Sequence, residues 1–189
     1  LRHTAECRER GVAFAADHLA GALSFEYGTG LSFTTYLGWL MPYDARITLV
    51  GSEHEIEHAI RDLSRIGVDG VEVAEGEDPA DAAPGALTRS YPRVDWPTAA
   101  IMRTREDVVL DVRRADEFTT GHLESAVNVP LHELLRRLDE VPVGRVLVHC
   151  ASGYRAGIAS SILDRTGRNV VHIDAAYADA AAAGLAVSA

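Results

Sequence analysis

The two halves of the chain repeat the same order of residues, and this restricts the possible folds more than any other feature. "FAADHLAGALSF" (14–25) aligns with "FTTGHLESAVNV" (118–129), and Phe, His, Leu and Ala occupy the same relative places. "RITLVGSEHEIEHAIRDLSRIG" (46–67) likewise runs parallel to "RVLVHCASGYRAGIASSILDRTG" (145–167). Because each copy in a repeated sequence usually forms one structural unit, we expect two related domains, each below ~100 residues.

A stretch rich in Pro, Ala and Gly separates the copies, "GEDPADAAPGALTRSYPRVDWP". This composition is typical of a connecting segment, and we place the linker at 79–93. The first predicted domain then covers residues 1–78, and the second covers residues 94–189.

Short apolar runs alternate with helical patterns in the second half of the chain. Strands are predicted at 107–112, 144–150 and 169–173, and helices at 131–141 and 155–167. Strands that alternate with helices favour a parallel sheet covered on both faces. The predicted fold class is therefore α/β, with two domains that each contain a small parallel sheet flanked by helices.

Composition excludes several classes of function. The formal net charge of −10 argues against binding to nucleic acid or to an anionic membrane, since both attract basic surfaces. No apolar run reaches the ~20 residues needed to span a bilayer. Cys7 and Cys150 lie far apart, so we expect no disulfide framework and a reducing, cytoplasmic setting. The start "LRHTAECRER" has neither an initiator Met nor a signal peptide, and it indicates a trimmed end.

Cys150 lies between a predicted strand and a predicted helix, at the edge of a parallel sheet where chemistry usually gathers. The helix start leaves unpaired backbone N–H groups, and Gly153 permits a tight loop that turns such groups toward the sulfur. The helix N-terminus and Arg155 both favour thiolate over thiol. Cys150 is therefore a candidate nucleophile, and a buried structural cysteine is the alternative. The candidate substrate-binding loop comprises Ala151, Ser152, Gly153, Tyr154 and Arg155.

A second motif precedes this loop, "LDVRRADEFTTGHLESAVNVPL" (110–131). Together the two motifs resemble the rhodanese-like sulfurtransferase family over about residues 94–187. The family pattern is matched, in order and spacing, by Asp111, Arg113, Glu117, Phe118, Gly121, His122, Ala126, Asn128, Pro130, Cys150, Gly153 and Arg155. The segment "DAAYADAAAAG" (174–184) departs from the Asp-Gly-Gly and Trp that the family usually has there.

This resemblance implies that Cys150 takes sulfur from thiosulfate or a persulfide and passes it, as a persulfide, to a thiol acceptor or cyanide. It implies no metal and no organic cofactor. It also gives supporting roles to Asp111, Arg113 and Glu117. A non-enzymatic docking or regulatory module is the alternative function.

His149 and His122 are candidate general bases, but His149 lies in a predicted strand and His122 in a structural motif of the family.

A tyrosine-phosphatase loop is the nearest alternative to a sulfurtransferase loop. It needs five residues between Cys and Arg to surround a phosphate, and here only four intervene.

The first half aligns Val50 or Gly51 with Cys150, so the first domain resembles a catalytically silent rhodanese copy. Its segment "GTGLSFTTYLGWLMPYD" (28–44) is longer than the counterpart in the second half. A silent copy before an active one resembles the C-terminal part of proteins that fuse a metallo-β-lactamase-fold domain to rhodanese domains, which are similar to persulfide dioxygenases. This resemblance implies an upstream metallo-hydrolase domain, although the metal motif His-x-His-x-Asp-His is absent from the chain.

"HEIEH" (54–58) has the histidine spacing of helical zinc-protease motifs, with Glu55 in the place of the general base. We instead expect an ordinary helix start, because Ser52 and Glu55 form a capping-box pattern. The buried face of this helix is predicted at Ile56, Ile60, Leu63 and Ile66. Arg61 and Arg65 share the face of the two histidines and would repel a zinc ion, so no metal site is predicted.

Overall fold

A computed structural model describes residues 2–6, 12–27, 32–42, 44–76 and 78–188 of the chain. The chain divides into two compact units, Leu1–Ser90 and Tyr91–Ala189. Cys7 lies outside the described residues, as do residues 28–31 and 43 of the longer first-half segment. Among the described residues, no helix combines the length and apolar character that crossing a bilayer requires.

The first unit is built around a parallel sheet. Its described elements, in chain order, are β1 (Arg2–Glu6), α1 (Val12–Ala16), β2 (His18–Leu19), β3 (Leu23–Ser24), α2 (Ser32–Leu40), β4 (Arg46–Gly51), α3 (Glu53–Arg65), β5 (Val71–Glu75), α4 (Pro79–Ala82) and β6 (Thr88–Arg89). The sheet order is β3-β1-β4-β5, and every neighbouring pair is parallel. The short strands β2 and β6 form a separate antiparallel pair.

The second unit has a five-stranded sheet. Its elements, in chain order, are β7 (Arg93–Val94), α5 (Trp96–Met102), β8 (Val108–Asp111), α6 (Ala115–Thr119), β9 (His122–Leu123), β10 (Val127–Asn128), α7 (Leu131–Leu134), β11 (Arg145–His149), α8 (Tyr154–Arg165), β12 (Asn169–Ile173) and β13 (Val187–Ser188), with 3-10 turns at Leu138–Glu140 and Tyr177–Asp179. The order β10-β8-β11-β12-β7 is parallel throughout. β9 and β13 pair antiparallel outside this sheet.

The alternation of strands and helices predicted for the second half is confirmed. β12 coincides with the predicted strand 169–173, and β8 and β11 lie within the predicted strands 107–112 and 144–150. α8 begins one residue before the predicted helix 155–167 and ends at Arg165. The fold is therefore mixed α/β, with a central parallel sheet and helices.

The predicted helix 131–141 is wrong in its extent. The chain is helical in α7 and, after a break, only in the 3-10 turn that follows. Arg168 lies beyond the break, and its guanidinium donates hydrogen bonds to the carbonyls of Val141 and Pro142 at 3.0 and 2.9 Å. Carbonyl groups that are bound in this way do not require partners within a helix.

Residues 79–93, expected to form a linker, contain secondary structure. α4 and β6 lie within this range, and Arg93 begins β7, the edge strand of the second sheet. In the chain, the boundary between the two units falls between Ser90 and Tyr91. A composition rich in Pro does not exclude a short helix, because a Pro in the first turn lacks only an N–H that has no helical partner there.

The two units repeat the same sheet order. The order β3-β1-β4-β5 in the first unit corresponds to β10-β8-β11-β12 in the second, which adds β7 at one edge. One local contact is also repeated: the ring centroids of Phe14 and His18 lie 4.2 Å apart, and those of Phe118 and His122 lie 3.9 Å apart. In each pair the histidine Nδ1 lies within hydrogen-bonding distance of the phenylalanine carbonyl, at 2.8 and 3.1 Å.

Sheet pairing decides which residue of the first unit corresponds to Cys150. Val50 pairs with the last residue of β1 as His149 pairs with the last residue of β8. Gly51 therefore stands after Val50 where Cys150 stands after His149. A single residue, Ser52, then separates Gly51 from α3, so this turn is shorter than the loop of the second unit and offers no thiol at the equivalent place.

The capping box at the start of α3 is confirmed. The backbone N–H of Glu55 lies 3.4 Å from the Ser52 hydroxyl oxygen, and the Glu55 carboxylate accepts a hydrogen bond from the Ser52 N–H at 3.0 Å. His54 is exposed and His58 is half-buried; they lie one helical turn apart, with ring centroids 4.3 Å apart. Across the part of the chain that the structure describes, no group of three or more His, Cys, Asp or Glu side chains is placed to hold a metal ion.

The buried face of α3 is only partly as predicted. Ile56 and Leu63 are buried, but Ile60 and Ile66 are 37% and 39% exposed. Ala59 takes the buried place between Ile56 and Leu63. The spacing of 56, 59 and 63 follows one helical face, so these three side chains form the buried side of the helix.

The core of the second unit yields a test of its packing. Leu147 in β11 is 1% exposed, and it packs in a cluster with Trp96 of α5. We predict that Leu147→Ala lowers the free energy of unfolding by about 2–5 kcal/mol, because truncating a buried leucine leaves a cavity. Urea unfolding in a Trp39→Phe background, where Trp96 alone fluoresces as tryptophan, measures this change.

Ile101→Ala in α5 is the matched control, since Ile101 is 88% exposed. Its free energy of unfolding should stay within about 0.5 kcal/mol of the parent protein. Equal losses in the two variants would contradict the placement of Leu147 in the core.

Candidate active site

Cys150 lies at the carboxyl end of β11, immediately before the turn that opens α8. Its side chain is buried, with 1% exposure. The backbone N–H of Gly153 points at the sulfur, with a distance of 3.2 Å between nitrogen and Sγ. A backbone N–H donor at the start of a 12-residue helix stabilises negative charge on this sulfur.

Gly153 is required by the geometry of this loop. Its φ of +100° lies in the region that side-chain-bearing residues rarely adopt. A Cβ atom at this position would lie only 2.9 Å from Cγ of Asp174, which follows β12. Asp174 is itself paired with Arg93 of β7. The loop can therefore curl over the thiol only because residue 153 has no side chain.

The remaining loop residues are less enclosed. Ala151 and Tyr154 are half-buried and Ser152 is exposed. The carbonyl of Ala151 accepts a hydrogen bond from the backbone N–H of Tyr177 at 2.9 Å, which ties the loop to the 3-10 turn after β12. This bond anchors the start of the loop, whereas Ser152, the next residue, is exposed.

Arg155 forms a two-pronged ion pair with Glu117 of α6. Its two terminal nitrogens lie 2.6 and 2.8 Å from the two carboxylate oxygens. The hydrogen bonds from Arg155 lower the pKa of Glu117 to about 2, against the effect of burial. Arg155 was expected from sequence to favour the thiolate of Cys150. Because Glu117 balances its charge, the clearest stabilising contact to the sulfur is the Gly153 N–H.

Asp111 and Arg113 form a buried pair at the end of β8, with exposures of 0% and 4%. The Arg113 Nε lies 3.0 and 2.9 Å from the two Asp111 carboxylate oxygens, and its guanidinium lies 3.6 Å from the centre of the Tyr177 ring. Asn128 donates hydrogen bonds to the carbonyls of both Asp111 and Arg113, at 2.9 and 3.0 Å. These contacts connect β8, β10 and the turn after β12, so the pair stabilises the edge of the sheet that carries Cys150.

Neither histidine considered from sequence is placed as an obvious general base. His149 is fully buried between Trp96 and Tyr177, with ring centroids 5.3 and 5.9 Å away. Burial lowers its pKa to about 4, although Asp111 lies 3.7 Å from its Nε2. His122 is stacked on Phe118.

The structure also places a residue that sequence reasoning missed. His172 in β12 is 1% exposed, and its Nε2 lies 3.0 Å from the carbonyl oxygen of Gly153. Its signal in the sequence was a single histidine within the otherwise apolar end of "NVVHI". A polar side chain buried in such a strand requires a hydrogen-bond partner, and the partner here belongs to the Cys150 loop.

Comparison with known proteins finds similarity to this part of the chain. Residues 97–183 match the family model described as "Rhodanese-like domain". The chain is 32% identical over 124 residues, or 62% of its length, to the HTH-type transcriptional regulator Rv0324 of Mycobacterium tuberculosis. It is 34% identical over 64 residues, or 33% of its length, to the uncharacterized protein YqhL of Bacillus subtilis. It spans 55% and 51% of these two relatives.

Among solved structures, a thiosulfate sulfurtransferase from Pseudomonas aeruginosa is 21% identical and aligns with a TM-score of 0.44, covering 98% of this chain and 40% of that one. The matched family range includes Cys150, the loop to Arg155, and the pairs Asp111–Arg113 and Glu117–Arg155. This matched range falls within the second unit of the chain.

Proposed function

We propose that the second unit is a sulfurtransferase that moves sulfane sulfur from thiosulfate or a persulfide to a thiol or cyanide. The observation that carries this proposal is the buried Cys150 thiol between β11 and α8. Its Sγ lies 3.2 Å from the backbone nitrogen of Gly153, whose N–H points at it. A nucleophile with a backbone donor aimed at it has the features needed to form and hold an anionic covalent intermediate.

In the first step, the Cys150 thiolate attacks the outer sulfur of the donor. A new sulfur–sulfur bond forms as the old one breaks, and sulfite or a thiolate leaves with the bonding electron pair. In the second step, an acceptor thiolate or cyanide attacks the outer sulfur of the Cys150 persulfide. The Cys150 thiolate is then restored, and the loop N–H groups favour the negative charge that returns to this site.

Arg155 and Glu117 support this chemistry by holding the loop. The ion pair joins the first turn of α8 to α6, and Asp111 and Arg113 stabilise the adjacent strand end. Ala151, Ser152 and Tyr154 form the rest of the proposed substrate-binding loop. Because Cys150 is almost fully buried, a small terminal sulfur is the part of a donor that fits this approach. The proposed reaction uses no metal and no organic cofactor.

The spacing of the loop favours sulfur transfer over phosphate-ester hydrolysis. Four residues separate Cys150 from Arg155, one fewer than a tyrosine-phosphatase loop needs around its phosphate. In addition, Arg155 is bound by a carboxylate whose pKa is held near 2, so a negative charge already occupies its donors. A phosphate dianion would have to displace Glu117.

A regulatory or docking module is the second candidate function. One curated relative is named a transcriptional regulator, and this chain covers about half of it. In such a role Cys150 would load sulfur once and hold it, and the loaded state would be the signal. The first unit, which has Gly51 at the equivalent place, would serve as a catalytically silent rhodanese-like copy in either role.

The wider context of the chain is also proposed from the sequence. We place it in the cytoplasm, as the rhodanese portion of a longer protein with a metallo-β-lactamase-fold domain upstream. Thiosulfate, persulfides and thiols are its proposed partners, without nucleic acid or membrane.

Replacing the nucleophile tests the proposed chemistry directly. Incubation with thiosulfate should add about 32 Da, the mass of one sulfur atom, to the protein, and Cys150→Ser should abolish this addition because a hydroxyl is a far weaker nucleophile. Intact-mass spectrometry measures loading, and thiocyanate release in the presence of cyanide measures transfer. Cys7→Ser, at the other cysteine of the chain, is the matched control; this variant should take up sulfur and transfer it to cyanide at the rate of the parent protein.

Equal turnover by Cys150→Ser would contradict the assignment of the nucleophile. One sulfur loaded per chain, with no multiple turnover for cyanide or small thiols, would favour the regulatory role over the enzyme.

The ion pair at the loop predicts a dependence of stability on pH. Glu117 has a pKa of about 2 in the folded protein, against 4.5 for an ordinary glutamate. Its contribution is therefore fully present above pH 4.5 and is lost as the pH falls toward 2. We expect Glu117→Gln to lower the free energy of unfolding by about 1 kcal/mol at pH 7, since the pair is partly screened by solvent.

Urea unfolding at a series of pH values measures this difference. The gap between the parent protein and Glu117→Gln should narrow as the pH falls from 4.5 to about 2. Glu106→Gln, the same change at an exposed carboxylate, should stay within about 0.5 kcal/mol of the parent at every pH. A gap that does not depend on pH would show that the Glu117 charge is not what stabilises the loop.

A further inference from the structure

We propose that His172 is a positioning residue for the Cys150 loop, a role that rests on the proposed sulfurtransferase function. The contact that suggests it is the 3.0 Å approach of His172 Nε2 to the carbonyl oxygen of Gly153. A carbonyl oxygen only accepts hydrogen bonds, so Nε2 carries the proton. The other ring nitrogen, Nδ1, has no hydrogen-bond partner among the described residues, as expected for the neutral tautomer with its proton on Nε2.

The Gly153 carbonyl is held from two directions. It accepts the backbone N–H of Gly157 at 2.9 Å, which is the first hydrogen bond of α8, and it accepts His172 as well. Both lone pairs of the oxygen are thereby used. His172 therefore fixes the peptide plane between Gly153 and Tyr154 against the sheet, while Gly157 fixes it against the helix.

When His172 holds the peptide between Gly153 and Tyr154, it also helps to orient the Gly153 N–H, which points at the Cys150 thiol. Gly153 joins the held peptide to the preceding one, whose N–H lies 3.2 Å from Cys150 Sγ. A glycine has wide conformational freedom, and its φ of +100° is kept by neighbours rather than by a side chain of its own. His172 holds one side of the residue, and the Asp174 carboxylate, paired with Arg93, closes the other.

Gly157 and His172 also fit one another in shape. A Cβ atom at position 157 would lie 3.3 Å from Cε1 of His172, so the ring packs where another residue of the helix would place its side chain. Burial lowers the pKa of His172 to about 4, which leaves the ring neutral near pH 7. His172 of β12 therefore packs against α8 at Gly157 and donates a hydrogen bond, as a neutral ring, to the Cys150 loop. The proposed reaction of Cys150 does not use the His172 proton.

Three variants separate positioning from general packing. His172→Gln keeps a nitrogen donor at the same number of bonds from the backbone, and His172→Leu removes the donor with a similar volume. Val170→Ala is the matched control, because Val170 is 2% exposed and lies two residues before His172, on the same face of β12. All three are compared as the full chain, after thermal unfolding has shown that each is folded at the assay temperature.

The steady-state rates of thiosulfate-to-cyanide transfer give the first readout. We expect kcat to fall about tenfold in His172→Leu, the effect of about one hydrogen bond, with KM for thiosulfate changed less than about twofold. His172→Gln and Val170→Ala should keep kcat within about threefold of the parent protein. A Val170→Ala loss as large as that of His172→Leu, or no rescue by glutamine, would overturn the proposal.

NMR of the unmodified protein gives a second readout that needs neither folding of a variant nor turnover. Long-range proton–nitrogen correlation should show the His172 ring neutral at pH 7, with its proton on Nε2. A proton on Nδ1 alone would overturn the proposal, because the Gly153 carbonyl would then lack this donor. Absence of transfer in the parent protein would refute the proposed function, while the ring tautomer would still decide whether His172 binds the loop.

Discussion

The parallel pairing of β8, β11 and β12 is the constraint on which the candidate site depends. Parallel strands end at the same edge of a sheet, so residues that are distant in the chain meet there. Asp111 closes β8, Cys150 follows β11 and Asp174 follows β12. A change in the order of these strands would separate the thiol from the groups that hold its loop.

The two units share an arrangement of strands but differ at the place of the candidate nucleophile. They share the sheet order and the stacked Phe–His contact, yet they differ in the turn after the third strand of that order. In the first unit Gly51 and Ser52 lead directly into α3, and the Ser52 hydroxyl lies 2.7 Å from the Glu55 carboxylate that caps the helix. In the second unit the turn is longer, and Gly153 lets it curl over Cys150. The shorter turn completes a helix cap, whereas the longer one leaves a backbone N–H for a ligand or a sulfur.

Local patterns predicted most of the framework, and long-range contacts account for what they missed. β12 and α8 were predictable because a buried apolar run and a Gly stop are local signals. The Cys150 loop was predictable for the same reason, since its spacing lies within one short segment. The ion pair between Arg155 and Glu117 joins residues 38 positions apart, and both were selected as candidates while their pairing was not visible. His172 was missed because the group that its ring binds, the Gly153 carbonyl, belongs to the backbone of another element. The helix predicted at 131–141 was too long for the same reason: the Val141 carbonyl is bound by Arg168, 27 positions further along the chain.

At the edge of the sheet that carries Cys150, ion pairs balance the arginine charges, so the orientation of backbone dipoles becomes important. Arg93, Arg113 and Arg155 all lie near the loop, and each is paired with a carboxylate: Asp174, Asp111 and Glu117 respectively. In a chain with a net charge of −10, these cations hold elements together more than they attract anions. The stabilisation of a negative sulfur then falls to fixed dipoles, chiefly the Gly153 N–H and the start of α8. Dipoles act only when they are correctly oriented, because they carry no net charge to act at a distance. Groups that orient the Gly153 peptide, foremost His172, therefore matter more here than they would in a site that stabilised the anion with a free arginine.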